Sequence, residues 1–349
     1  MASERIAIVG SGSWGTTLAL VALRAGREAV LYVRDPDLAA MIVATRRHER
    51  AIPGVSLPAD LIVTADLAAA CRDAAAILLV VPSQMMRANA RALAPFVGDA
   101  IVVSAAKGLE IGSLKRMTEV VADELPPAAA SRVCALSGPN LALEVAADRP
   151  ATTVIAGADL AAAERVRDLL MGRQFRCYTN EDVVGVEMGG ALKNIIAIGA
   201  GIGDGLGAGD NAKAAFMTRG VAEVARLGIA AGANPLTFTG LAGLGDLVAT
   251  CASPLSRNRR VGAELAKGRS LAEIEAGMTQ VAEGIFTTRA ARELGRRLGV
   301  ELPITEQMHA MLFDGKSPLV AVAELMARDS KHELAGLARP APSPGHQAS

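Results

Sequence analysis

Aromatic residues are scarce in this chain, at 3% of the composition with one Trp, two Tyr and six Phe. Together with 51% hydrophobic residues and 35 glycines, this balance argues against disorder. It suits helices packed closely on a parallel sheet, with many tight turns. Charge of either sign is also not in excess: Lys+Arg and Asp+Glu both total 36. With no net field to attract nucleic acid or an anionic membrane, any anion binding must come from local clusters. The four cysteines, Cys71, Cys134, Cys177 and Cys251, are far apart and form no CxxC pair, which leads us to expect unpaired thiols in a reducing, cytoplasmic setting. His48, His309, His332 and His346 show no metal-ligand spacing, so no metal is expected. The opening MASERIAIVG has only a short apolar run after Glu4 and Arg5, and no leader is expected there. The most membrane-like stretch, 183–203, is interrupted by Glu187, Lys193 and Asn194, so it reads as a buried helix of a water-soluble domain.

What is present is alternation. In a chain of 349 residues, room for two cores, short apolar runs alternate with helical patterns through the first half. That is the mark of a parallel sheet covered on both faces. Strands are expected at 6–9, 29–33, 61–63, 77–81, 101–104 and 133–136, with 152–155 and 175–178 extending the same sheet. Helices are expected at 14–25, 37–46 and 113–124. After Asn180 helical periodicity takes over, with segments at 257–267, 271–276 and 287–298. A boundary near 182 follows: an α/β dinucleotide-binding domain over 1–182, a helical domain over 183–338, and a Pro/Ser/Ala-rich, disordered tail over 339–349.

The first expected strand runs directly into Gly10-Ser11-Gly12-Ser13-Trp14-Gly15. In a dinucleotide fold the first glycine permits a tight turn, the second lets the backbone approach a pyrophosphate, and the third lets helix and strand pack closely. GxGxxG alone is weak in so glycine-rich a chain, but here strand, glycines, helix and second strand fall in order. That second strand ends in Val33-Arg34-Asp35. Arg34 offers a cation for a ribose 2′-phosphate, which favours NADP; the other reading is a solvated arginine with Asp35 taking the ribose of NAD. The run Gly201 to Gly207 is also glycine-rich, but no strand precedes it, and it reads as a helix-ending loop at a hinge or cleft wall.

In the apolar helix from 183, Lys193 shares a face with Gly189, Gly190, Ala197 and Gly201. Small neighbours let another molecule come close, and desolvation would lower the amine's pKa towards that of a proton-transferring group. A lysine snorkelling from a buried helix fits the same pattern. Gly243-Leu244-Gly245-Asp246, followed by Thr250, could present Asp246 to a substrate hydroxyl or to the lysine. Ser256, Arg257 and Asn258 at a helix start make a seat for a phosphate; a serine cap followed by solvated arginines is the plainer reading. Two loops leave the carboxyl ends of strands, where open α/β sheets bind ligands. One carries Lys107-Gly108 and the other Gly138-Pro139-Asn140. Lys107 could polarise a carbonyl or meet an anion, or simply sit in a turn.

With these residues in view, the chain resembles the bacterial-type NAD(P)-dependent glycerol-3-phosphate dehydrogenases. The matching pieces are GSGSWG (10–15), SAAKGLE (104–110), SGPN (137–140), the run 187–220, GLGDLVATC (243–251), SRNRRVG (256–262) and VAEG (281–284). They extend from about residue 5 to about 335. The resemblance implies a Rossmann domain followed by a helical domain like the C-terminal part of 6-phosphogluconate dehydrogenase. It implies Lys193 as general acid for reduction and base for oxidation. Lys107, Gly138, Asn140, Asp246, Ser256, Arg257 and Asn258 would bind glycerol phosphate with Lys193, supported by Asn194 and Thr250. Gly10, Gly12, Ser13, Trp14, Gly15, Arg34, Lys107, Ala142, Arg257, Val281 and Glu283 would contact the dinucleotide. Asn140 and Trp14 stand where family members vary. The activity implied is hydride transfer between NAD(P)H and dihydroxyacetone phosphate, feeding glycerophospholipid synthesis. A β-hydroxyacid or ketopantoate-type reductase of the same plan, or a dinucleotide-sensing module without activity, remains open, as does oligomeric state, a homodimer included.

Overall fold

The computed structural model describes residues 4–278 and 280–329; the expected tail 339–349 lies outside them. Eight strands form one sheet: β1 (Arg5–Val9), β2 (Glu28–Tyr32), β3 (Ile62–Thr64), β4 (Ala74–Leu79), β5 (Ile101–Ser104), β6 (Cys134–Ser137), β7 (Ala151–Gly157) and β8 (Phe175–Asn180). Their order is β3-β2-β1-β4-β5-β6-β7-β8, and β1 to β6 are parallel. The reversal between β1 and β4 is the crevice at which such sheets bind nucleotides. Ile6, Ile8, Leu31, Leu78 and Val103 pack one face, and Ala7, Val9, Ile77, Leu79 and Val102 the other. That division follows from period-two side chains on strands buried on both sides.

β7 runs antiparallel to β6. Only the five-residue helix Ala142–Ala146 lies in their connection, too little to carry the chain back along the sheet as a parallel crossover requires. β7 therefore starts at the carboxyl edge, beside the loop that follows β6. A full return helix, Leu160–Leu170, then makes β8 parallel to β7.

Beyond the sheet the chain is helical, built round the 23-residue helix Val183–Gly205. Asp182 caps it, accepting from the Gly185 amide at 2.9 Å, and also binds the Thr237 hydroxyl at 2.6 Å and the Asn234 amide at 2.9 Å. The helix is long and apolar enough to span a bilayer by length and composition, but it lies inside the protein. The helices Gly209–Ala230, Asp246–Ala252, Arg257–Ala266 and Glu283–Leu298 pack around it. Against Arg257–Ala266 the approach is backbone to backbone: a Cβ on Gly201 would overlap the Arg259 carbonyl, and one on Gly262 the Ile198 carbonyl.

Three helical expectations differ most from the structure. The helix expected at 113–124 begins at Met117, because Gly112 and Leu114 adopt positive φ and the Arg116 amide, just before the helix, donates to the Glu119 carboxylate at 2.8 Å. The helix expected from 287 begins at Glu283. The glycines from Gly201 to Gly205 are the last turns of the long helix rather than a loop; the lack of a side chain at Gly201 and Gly205 serves the helix contact just described.

Candidate active site

The cleft begins at the Gly loop. Gly10 has φ 121°, and a Cβ there would run into the Val80 carbonyl, so only glycine turns the chain from β1 into the helix Ser13–Arg24. A Cβ on Gly15 would overlap the Gly10 carbonyl, whereas the position above Gly12 is open. Gly12 caps this twelve-residue helix without a side-chain bond. The first-turn amides thus have no side-chain cap competing for them, a suitable cradle for a pyrophosphate. Ser13 donates to the Ala51 carbonyl at 2.5 Å and accepts from Gln280 at 2.8 Å. Trp14 is half-buried and its ring lies 6.4 Å from that of Phe175. His48 supports the loop from below through Ser11, with its Nε2 2.8 Å from the carbonyl.

At the end of β2, Asp35 accepts from the amides of Asp37 at 3.0 Å and Leu38 at 3.3 Å, capping the helix Pro36–Thr45. Arg34 beside it is exposed. Ala142 starts its short helix and its carbonyl accepts from Thr17 at 3.1 Å, which joins that segment to the Gly-loop helix.

The chemical residues converge on Asp246, which is 1% exposed. A π-helical turn, Leu241–Gly245, delivers it. A Cβ on Gly189 would stand 2.8 Å from the Ala242 carbonyl, so the turn presses directly on the long helix. Such turns recur at functional sites. Lys107 donates to Asp246 Oδ2 at 2.6 Å and to the Gly138 carbonyl at 3.0 Å. Lys193 donates to Asp246 Oδ1, and to Thr250 Oγ1 at 2.5 Å. Burial pushes the Lys193 amine down to about 8; the nearby carboxylate opposes this and the Lys107 charge adds to it.

The expected phosphate seat adjoins this cluster. Ser256 caps the helix Arg257–Ala266, accepting from the Arg259 amide at 3.2 Å. Arg257 donates to the Val281 carbonyl at 2.9 Å. Asn258 has both ends of its amide committed to protein, donating to Asn194 at 2.9 Å and accepting from the Gly284 amide at 3.0 Å. Asn140 is likewise held on β7, donating to the Thr152 carbonyl at 2.9 Å and accepting from Thr153 at 3.0 Å. The side chains of Lys107, Lys193, Asp246 and Thr250 thus form one bonded group, while those of Asn140 and Asn258 serve to hold its walls.

Sequence reasoning missed the loop after β4. Ser83 donates to the Glu283 carboxylate through both its hydroxyl and, at 3.2 Å, its amide; burial raises the Glu283 pKa. Gln84 donates to the Leu109 carbonyl at 2.8 Å and accepts from the Ile111 amide at 3.0 Å, bracing the segment that follows Lys107. The rule that singled out the loops after β5 and β6, ligand sites outside strand carboxyl ends, applies equally to this one.

Two family models match the chain: the N-terminus of NAD-dependent glycerol-3-phosphate dehydrogenase over residues 5–163 and its C-terminus over 182–323. Among curated relatives, a protein of Dehalococcoides mccartyi is 49% identical over 335 residues, 95% of this chain and 93% of the relative. One of Pelotomaculum thermopropionicum is 49% identical over 333 residues, 95% of each chain. Both are named glycerol-3-phosphate dehydrogenase with NAD(P)+ as cofactor. The crystal structure of glycerol-3-phosphate dehydrogenase from Coxiella burnetii superposes with a TM-score of 0.88 at 38% identity, covering 93% of this chain and 99% of that one.

Proposed function

Because the chain belongs to the NAD-dependent glycerol-3-phosphate dehydrogenase family, we propose that it catalyses the reversible reduction of dihydroxyacetone phosphate to sn-glycerol 3-phosphate. The observation that carries this reading is the buried group Lys107–Asp246–Lys193 beside the carboxyl edge of a nucleotide-binding sheet. The dinucleotide, when bound, supplies the hydride to the substrate's C2 carbonyl carbon. Its pyrophosphate would be held by the amides following Gly12, with Ser13, Trp14, Ala142, Val281 and Glu283 along the cleft.

Lys193 gives its proton to the carbonyl oxygen as negative charge develops there, and takes it back from the hydroxyl in oxidation. An amine lowered to about 8 by burial can do both near neutral pH. Lys107 adds positive potential at the same oxygen in a site of low dielectric. Arg257, with the amides at the start of its helix, holds the remote phosphate, so that binding of a non-reacting group orients the reacting one. Asp246 bridges the two amines and opposes the lowering of the Lys193 pKa. NADP is the preferred cofactor in this reading, supported by the exposed Arg34 and by the use of Asp35 as a helix cap. The dinucleotide part extends to residue 182 and the helical part from 183, supported by the end of β8 at Asn180. A cytoplasmic location, supported by four free buried thiols, and a product destined for glycerophospholipid synthesis complete the reading. Steady-state reduction of dihydroxyacetone phosphate with NADPH and with NADH, followed by loss of absorbance, tests it. Turnover with NADPH is expected; no turnover with either cofactor would overturn it.

A further inference from the structure

The lysine pair is not the only place where the helix Val183–Gly205 meets the segment bearing Lys107. Glu187, six residues before Lys193 and buried, accepts from residues at the far end of that segment. Arg116 Nη1 donates at 2.6 Å, the Thr118 amide at 2.8 Å and the Thr118 hydroxyl at 2.5 Å. The segment folds back on itself, with the Glu110 amide 3.0 Å from the Lys115 carbonyl and a bridge pairing Leu109 with Arg116. Lys107 and Arg116 therefore belong to one braced piece of backbone. On the helix, Glu187, Gly190 and Lys193 lie at three-residue intervals on one ridge that winds about the axis, with Gly190 neighbouring both. At its middle, the space a Gly190 side chain would fill is taken by Ser137, with the Lys107 stem 3.7 Å away.

We propose that Glu187 is a positioning residue for proton transfer: by seating the helix on Arg116 and Thr118, it fixes where the Lys193 amine stands relative to Lys107 and Asp246. The inference rests on Lys193 being the acid and base of the reaction. A carboxylate filled by three donors, one of them a guanidinium, tolerates little sliding of the helix. Misplacing a reacting group by about 1 Å can cost about 100-fold in rate. The groups facing Lys193 are Asp246 and Thr250 from the helix Asp246–Ala252, Cys251 of the same helix, and Lys107. Those facing Glu187 are Arg116 and Thr118, with Glu119 pairing the other side of Arg116.

The test compares wild type, Glu187→Gln, Thr118→Val, Thr118→Ser and Lys193→Ala. Dihydroxyacetone phosphate reduction is measured against pH, with NADPH affinity by fluorescence titration and thermal melts alongside. Glu187→Gln and Thr118→Val are expected to lower kcat by about 10- to 100-fold at temperatures where both remain folded, with NADPH affinity within about twofold. Their alkaline limb should move to higher pH, since a less confined amine is better solvated. Thr118→Ser, which keeps the hydroxyl, should restore kcat. Wild-type kcat and an unmoved limb in the folded variants, with only a lower Tm, would overturn the proposal. Should Glu187→Gln fail to fold, Thr118→Val, which retains every charge, decides alone. If the wild type turns over and Lys193→Ala does not, unaltered Glu187 and Thr118 variants sink this inference and spare the functional reading; a wild type without turnover sinks both.

Discussion

Lys107 Nζ lies 2.6 Å from Asp246 Oδ2 although 139 positions separate them in the chain. The other oxygen of that carboxylate holds Lys193, so one anion serves two cations from two parts of the fold. Buried charges persist only when paired and hydrogen-bonded, and here the pairing itself brings the amines to the carboxyl edge of the sheet.

Lys193→Ala removes the proposed proton donor but none of the residues proposed to hold the dinucleotide. We expect kcat for reduction to fall by about 10²–10⁴-fold, with NADPH affinity by fluorescence titration close to wild type. Near-normal turnover would take Lys193 out of its role.

The pH dependence has a definite sign. In the proposed mechanism reduction needs protonated Lys193, so kcat/KM for dihydroxyacetone phosphate should be highest below about 8 and fall as pH rises through that value. Oxidation of glycerol 3-phosphate needs the free amine and should rise over the same interval. Asp246→Asn removes the charge that opposes the lowering, so the reductive limb should move to lower pH. An unmoved limb in that variant would mean that another group titrates.

Arg257→Ala deletes the proposed phosphate clamp. A hydrogen bond to a charged group contributes about 1.5–3 kcal/mol, so KM for dihydroxyacetone phosphate should rise by about 10- to 150-fold. Progress curves at graded substrate would show it; an unchanged KM would remove Arg257 from the phosphate site.

In the proposed reading, Arg34 sets the choice of cofactor. Arg34→Ser should raise KM for NADPH by about tenfold or more and leave that for NADH nearly as it was. Equal effects on the two cofactors would place the 2′-phosphate elsewhere.

Most of the strands were legible because each is a short apolar run between turn residues, the trace that burial on both faces of a sheet leaves in sequence. The direction of β7 was not. It is decided by the brevity of the preceding connection, and the apolar pattern of 152–155 reads the same either way. Lys193 stood out because an amine among glycines is unusual on a surface face, and Lys107 because it follows a strand's carboxyl end. The joint at Glu187 left no such trace. A lone acid in an apolar helix reads as an interruption, and its Arg116 partner is 71 positions away. Gly201 and Gly205 misled for a related reason: glycine signals a loop locally, and only the neighbouring helix shows why the space must stay empty.

Gly262→Ala tests that contact. Its Cβ would overlap the Ile198 carbonyl, and backbone cannot move aside as a flexible side chain can. Overpacking of this kind costs about 1–3 kcal/mol or more, so the denaturant midpoint should fall. KM for dihydroxyacetone phosphate should rise as well, because Arg257 rides on the displaced helix. A variant as stable as wild type would show that the two helices can separate freely.

The order in which the long helix and its cover leave the ribosome has a cost in time. Among the described residues, the helices packed around Val183–Gly205 all follow it in the chain, the last of them, Pro303–Phe313, ending at Phe313. At roughly 5–20 residues per second, the nascent protein carries an uncovered, lipid-like segment for on the order of 5–20 seconds before its shield is complete. Chaperone depletion should therefore lower the soluble yield, and messages that stop between these points should give products that pellet with membranes or aggregates.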